Sequence, residues 1–212
     1  MSLHHRSKQN TIHKTGSNAG FVFGGHFEYA SSTMLRYLDT HALKYLIGFA
    51  VVFLVRLLPF RPPNVEPVMA TMMPFAKRFG ALSGFVFASL SIVLFDAVTS
   101  GWGVWTLVTA LAYGALGVAS YYFFRTRESC AKNYVLFAVF GTLFYDAVTG
   151  LTIGPLLWGQ SFSVALAGQI PFTLLHLTGN LLFAAVVSPA LYRWVVANQQ
   201  LTVSTLLRVR HA

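Results

Sequence analysis

The side chains best placed to do chemistry are Gln169, Thr173, His176 and Asn180, spaced four, three and four residues apart. On a helix that spacing puts all four on one face. A wall of amide, hydroxyl and imidazole groups either ties helices together or faces a bound molecule. Pro171 falls among them and frees a backbone carbonyl, a further acceptor. Asp96 and Asp146 close two apolar runs, Phe85 to Leu94 and Phe137 to Phe144, inside near-identical words. These words are Phe95-Asp96-Ala97-Val98-Thr99-Ser100 and Tyr145-Asp146-Ala147-Val148-Thr149-Gly150, offset by fifty residues. Such a repeat speaks of architecture. A carboxylate in or beside a bilayer is expensive, which points to function; holding the backbone of a tight turn is the alternative.

Arg56 and Glu66 bracket a stiff segment, Arg61-Pro62-Pro63-Asn64-Val65-Glu66-Pro67. Two readings fit them. One is a salt bridge, mutual or from Arg56 to Asp96 or Asp146; the other leaves a partner free for a charged group of a ligand. Trp102, Trp105 and Trp158 suit either an interfacial belt or stacking on an aromatic ligand. Catalytic signals are thin. The chain has no Gly-rich loop followed by Lys and no Gly-x-Ser-x-Gly elbow. His176 lacks an evident nucleophile, and no histidine spacing suggests a metal site. One cysteine, Cys130, makes no internal disulfide. The expectation is a protein that is not an enzyme and holds neither cofactor nor metal.

The elements that must position these groups are membrane helices. Of 212 residues, 55% are apolar, 15% aromatic and only 10% charged, against about 25% charged in a soluble domain. Apolar runs of spanning length complete the case for a lipid bilayer environment. The formal charge of +9 then reflects basic loops held on the cytoplasmic side rather than nucleic-acid binding.

Six spans are expected, at about Ala42–Phe60, Val68–Phe75, Gly80–Val98, Trp105–Phe124, Tyr134–Thr149 and Ala165–Val196. A short, Met-rich second span is followed by Ala76-Lys77-Arg78-Phe79 as a tight basic turn, and Leu151 to Val164 is a long connection. With the N-terminus inside, every Lys and Arg except Arg56 and Arg61 falls on the cytoplasmic side. The fold class is thus an all-α membrane protein, a six-helix bundle with both termini cytoplasmic. Residues 1–40 form a polar, basic, disordered tail, 41–197 the transmembrane domain, and 198–212 a second basic tail. Asn64, Glu66, Asp96, Asp146, Trp105, Trp158 and the start of the sixth span gather outside. There Asp96 and Asp146 are expected as loop anchors beside a pocket rather than as buried charges. Ala76, Gly80, Gly84 and Ala88 form a ladder of small residues, which serves internal packing or docks a second membrane protein.

These features together resemble the S component, the substrate-binding membrane subunit, of energy-coupling factor (ECF) transporters. The likeness rests on Arg56-Leu57-Leu58-Pro59, then Pro62 to Pro67, and the Gly80/Gly84 span ending at Asp96. It continues with Trp105 and Tyr113-Gly114, the fifth span ending at Asp146, and the polar stripe from Gln169 to Asn180. It covers about Ala42 to Val196. The resemblance implies a vitamin or similar micronutrient held externally under the first, third and fifth loops. It also implies partners, a membrane T component and cytoplasmic ATPases, in a prokaryotic cytoplasmic membrane. Asn64, Glu66, Asp96, Trp105, Asp146, Trp158, Gln169, Thr173, His176 and Asn180 would then form the substrate site. The family's Ala-x-x-x-Ala in the first helix is absent between Ala42 and Phe60; the Ala76–Ala88 ladder is the expected substitute for docking. The rival reading is a membrane scaffold or cell-envelope assembly subunit, which needs the ladder but no pocket.

Overall fold

The structure, a computed structural model, describes residues 41–202. The expectations for residues 1–40 and for most of the 198–212 tail lie outside the described residues. Within them the chain is all-helical. Helix α1 is described over residues 41–56; α2 is Val68–Phe79, α3 Ala81–Val98, α4 Val104–Phe124 and α5 Ala131–Asp146. Helix α5 runs on through a π-helical turn, Ala147–Ile153, into the short α6, Gly154–Trp158. Helix α7 is Phe162–Leu191 and ends in a second π-helical turn, Tyr192–Val196.

Four segments are long and apolar enough to cross a membrane: Ala81–Val98, Val104–Phe124, Ala131–Trp158 and Phe162–Val196. Their outward faces carry large apolar side chains such as Leu107, Phe140, Leu174, Leu182 and Val186, each more than half exposed. Water would not tolerate that much exposed apolar surface, and lipid does. The protein is therefore a membrane protein.

Helix α2 is the axle of the bundle. Every residue from Val68 to Ala76 is buried, as expected of a helix apolar on all sides. Its 12 residues reach about 18 Å, short of the roughly 30 Å of hydrocarbon in a bilayer. Pro74 sits inside it and cannot donate to the carbonyl of Ala70. Ser188 of α7 donates to that carbonyl instead, at 2.7 Å. Around α2 the aromatic rings stack, Phe75 on Phe87 at 4.5 Å and Phe49 on Phe87 at 4.6 Å.

Three expectations change. Ala76 to Phe79 is the last turn of α2 rather than a basic turn between helices, because nothing there breaks a helix; the break is at Gly80, where φ is +100°. The connection after Asp146 is mostly helical, and it ends at Gly159. Three of the four ladder residues pack inside the bundle, Ala76 and Ala88 fully buried and Gly84 buried, while Gly80 is half-buried with open space beside it. The reason is a close helix crossing. A Cβ at Gly84 would sit 2.6 Å from the Gly117 carbonyl and from the Ala76 Cβ, so α3 and α4 touch backbone to backbone.

The two ends of the bundle differ in chemistry. At one end Lys77 donates to the carbonyls of Phe124, at 3.1 Å, and of Arg127. Lys44 donates to the carbonyl of Val196 at 3.1 Å. These ammonium groups satisfy free carbonyls at the ends of α4 and of the last π turn, and in the turn that follows α4. The opposite end gathers the loops 57–67, 99–103 and 147–161.

Candidate functional site

At that end lies a polar chamber of about 230 Å³, to which the first loop contributes Arg61, Asn64 and Glu66. Its charged walls are Arg56, Arg61, Glu66 and Asp96; its polar ones are Asn64, Thr109, Tyr113, Tyr145 and His176; Ile92, Trp105 and Phe172 complete it. The first loop is shaped by Arg61, whose Nη1 donates to the Val65 carbonyl at 3.1 Å. The turn so closed passes through Asn64 at φ +64°, a left-handed conformation that asparagine tolerates better than most residues.

A chain of polar contacts runs from this loop into the bundle. Arg56 Nε lies 3.1 Å from Glu66 Oε2, yet makes no directed hydrogen bond, so the contact is electrostatic. The Arg56 guanidinium also lies 3.8 Å from the centre of the Phe95 ring. Tyr113 donates from its hydroxyl to Glu66 Oε1 at 2.8 Å. His176 Nε2 lies 3.3 Å from the Tyr113 oxygen, and His176 Nδ1 lies 2.8 Å from Asp146 Oδ1. Asp146 is only 2% exposed, and its Oδ2 has no hydrogen-bond partner among the described residues. The expectation of two loop anchors therefore holds for one copy of the repeat alone. Asp146 is a buried carboxyl group behind His176, because α5 continues helically past it and turns its side chain onto α7. Asp96 stays on the chamber wall, accepting from Thr106 Oγ1 at 2.7 Å.

Trp105 and Phe172 belong also to a second, wider cavity of about 390 Å³ that includes Thr149, Gly150, Trp158, Gln160 and Gln169. Trp105 and Trp158 meet edge to face there, with centroids 5.4 Å apart. The chamber alone is smaller than a usual ligand site of roughly 300–1,000 Å³; with its neighbour it falls within that range.

The α7 stripe divides by depth. Gln169 lines the wider cavity and His176 the chamber. Thr173, which accepts from Gln169 Nε2 at 3.1 Å, lines a separate apolar groove of about 380 Å³ together with Asp146. Asn180 lines none of these cavities. It is fully buried and donates to Thr142 Oγ1 at 2.8 Å, a tie between α7 and α5. Of the residues singled out from the sequence, Asn64, Glu66, Asp96, Trp105 and His176 meet in the chamber, and Trp105, Trp158 and Gln169 in the wider cavity. Arg61, Thr109, Tyr113, Tyr145 and Phe172 were not singled out as site residues. Arg61 carried a usable signal as one of two basic residues on the side of the converging loops. The aromatics carried little in a chain so rich in them. No group of three or more His, Cys, Asp or Glu able to hold a metal occurs among the described residues. No family model, curated protein or solved structure matches this chain.

Proposed function

We propose that the chain is the substrate-binding membrane subunit of an ECF-type importer. In this reading it is a six-span protein of a prokaryotic cytoplasmic membrane, with both termini in the cytoplasm. It holds a vitamin or similar micronutrient at the external end and catalyses no reaction. A membrane T component and cytoplasmic ATPases supply the energy. The observation that carries the reading is the polar chamber walled by Arg61, Asn64 and Glu66 of the first loop and by helix side chains, in a helix bundle whose exterior is apolar. Fixed polar groups inside an otherwise apolar enclosure are what orient a small ligand. The segregation of lysines to the opposite end supports the orientation.

A thermal-shift screen of the purified protein over vitamins and queuosine-type precursors tests the proposal. One compound should raise the unfolding temperature, and uptake into vesicles should require an ATPase partner. Uptake by the chain alone, or no stabilising compound for well-folded protein, would contradict it.

A further inference from the structure

Four permanent charges line the chamber, Arg56 and Arg61 against Glu66 and Asp96, and they are not equally engaged. Arg56 and Glu66 neutralise one another at 3.1 Å. Each is further committed, Glu66 to the Tyr113 hydroxyl and Arg56 to the Phe95 ring. Arg61 and Asp96 differ. The acid–base contacts among the described residues are Arg56–Glu66 and Asp146–His176, the second an ion pair only when His176 is protonated, so Arg61 and Asp96 share one chamber without pairing. Arg61 uses only Nη1, toward the carbonyls of Pro62 and Val65, and its buried Nε has no partner among the described residues. Asp96 receives one hydrogen bond, from Thr106 to Oδ2. One positive and one negative group are thus left uncompensated, separated in a site walled by Trp105, Tyr113, Tyr145 and Phe172.

We propose that Arg61 and Asp96 set the charge class of the ligand. The chamber selects a net-neutral, dipolar aromatic molecule, with a donor (ammonium or ring N–H) at Asp96 and an acceptor (carboxylate or carbonyl) at Arg61. A dipolar molecule satisfies both groups at once. A cation would leave Arg61 opposed by like charge, and an anion would do the same to Asp96. A charge left without its partner in a partly desolvated site is costly, and that cost rejects the wrong ligand as effectively as contacts favour the right one. The aromatic walls ask for a flat ring between the two ends. This proposal rests on the ligand-site reading above and narrows it.

The test uses the full chain in nanodiscs and three sets of probes matched in ring and differing in charge. The sets are tryptamine, tryptophan and indole-3-propionate; tyramine, tyrosine and 3-(4-hydroxyphenyl)propionate; and 3-(aminomethyl)pyridine, nicotinamide and nicotinate. Binding is measured for the native protein and for the Arg61→Gln, Arg61→Lys and Asp96→Asn variants. The native protein should bind a neutral member at least about tenfold tighter than its charged partners, the scale of one hydrogen bond to a charged group. R61Q should shift the preference toward the amine and D96N toward the acid, while R61K should keep the native order. A charged member bound tightest by the native protein would overturn the charge assignment while leaving the ligand site in place. Preferences unmoved in both R61Q and D96N would do the same. Binding of no probe, in variants that keep native helicity, would overturn the assignment and count against the ligand-site reading as well.

Discussion

The two Asp-Ala-Val-Thr words are the same text folded into two different devices. In both, the threonine donates to the carbonyl four residues back, Thr99 to Phe95 and Thr149 to Tyr145, each at 2.8 Å. They part at the next residues. After Asp96 the chain reads Thr99-Ser100-Gly101, and three successive backbone N–H groups, of Thr99, Ser100 and Gly101, fold back on the Asp96 carbonyl. Gly101, at φ +76°, ends the helix in a way other residues resist. After Asp146 the chain reads Gly150-Leu151-Thr152-Ile153, and the helix continues in the wider π form. One carboxylate is left on a chamber wall; the other is drawn inside against His176. The surroundings of a repeat, and not its own words, decide whether its charge faces a ligand or holds the fold.

The fastenings differ too, which orders the expected effects. The α5 copy is tied to α7 by the buried Asp146–His176 contact. Replacing His176 or Asp146 alone by Leu should lower unfolding stability by about 3–5 kcal/mol, because the remaining group is left buried without its partner. The double replacement should recover most of that loss, since an apolar pair leaves no buried polar group without its partner; a double variant no better than the singles would deny the Asp146–His176 contact its role. The helix that carries the other copy, α3, instead meets α4 backbone to backbone at Gly84 and Gly117, at the end away from Asp96. Gly117→Ala should cost about 1–3 kcal/mol by forcing the crossing apart, measured by denaturation in bicelles. Thr106→Val removes the hydroxyl that serves Asp96 and should cost about 0.5–1.5 kcal/mol. Asp96→Asn keeps an acceptor for Thr106, so its stability should move least, by under about 0.5 kcal/mol. Its ligand affinity should nevertheless fall about tenfold or more. If D96N proved as destabilising as D146L, the contrast between the copies would be lost.

The sequence made the wall legible where physics left few options. Polar groups at helical spacing in an apolar span turn inward where they can, so His176 and Asn180 are buried, while Gln169 and Thr173 are half-buried and border an apolar groove. Spacing could not say how deep each would sit. Thus Asn180 became a tie to Thr142 rather than a wall of the chamber. The loops were legible as lying at one end through the basic-residue bias, but the connection from Leu151, with Gly154 and Pro155, read as irregular backbone where the end of a π turn and a short helix occur. Glycine and proline lower the odds of helix without forbidding it, and packing on α7 decides. The ladder from Ala76 to Ala88 shows the same limit. Small residues permit a close approach, and only the fold names the neighbour, here Gly117 of α4.

The most direct test is whether the chamber carries a small molecule at all. Native protein, gently extracted and then denatured, should release one compound in amounts close to equimolar with the chain, detected by mass spectrometry. The Arg61→Gln, Asp96→Asn double variant should release at least about tenfold less. Release of nothing from the native protein, or of the same amount from the double variant, would contradict a ligand site built on these residues.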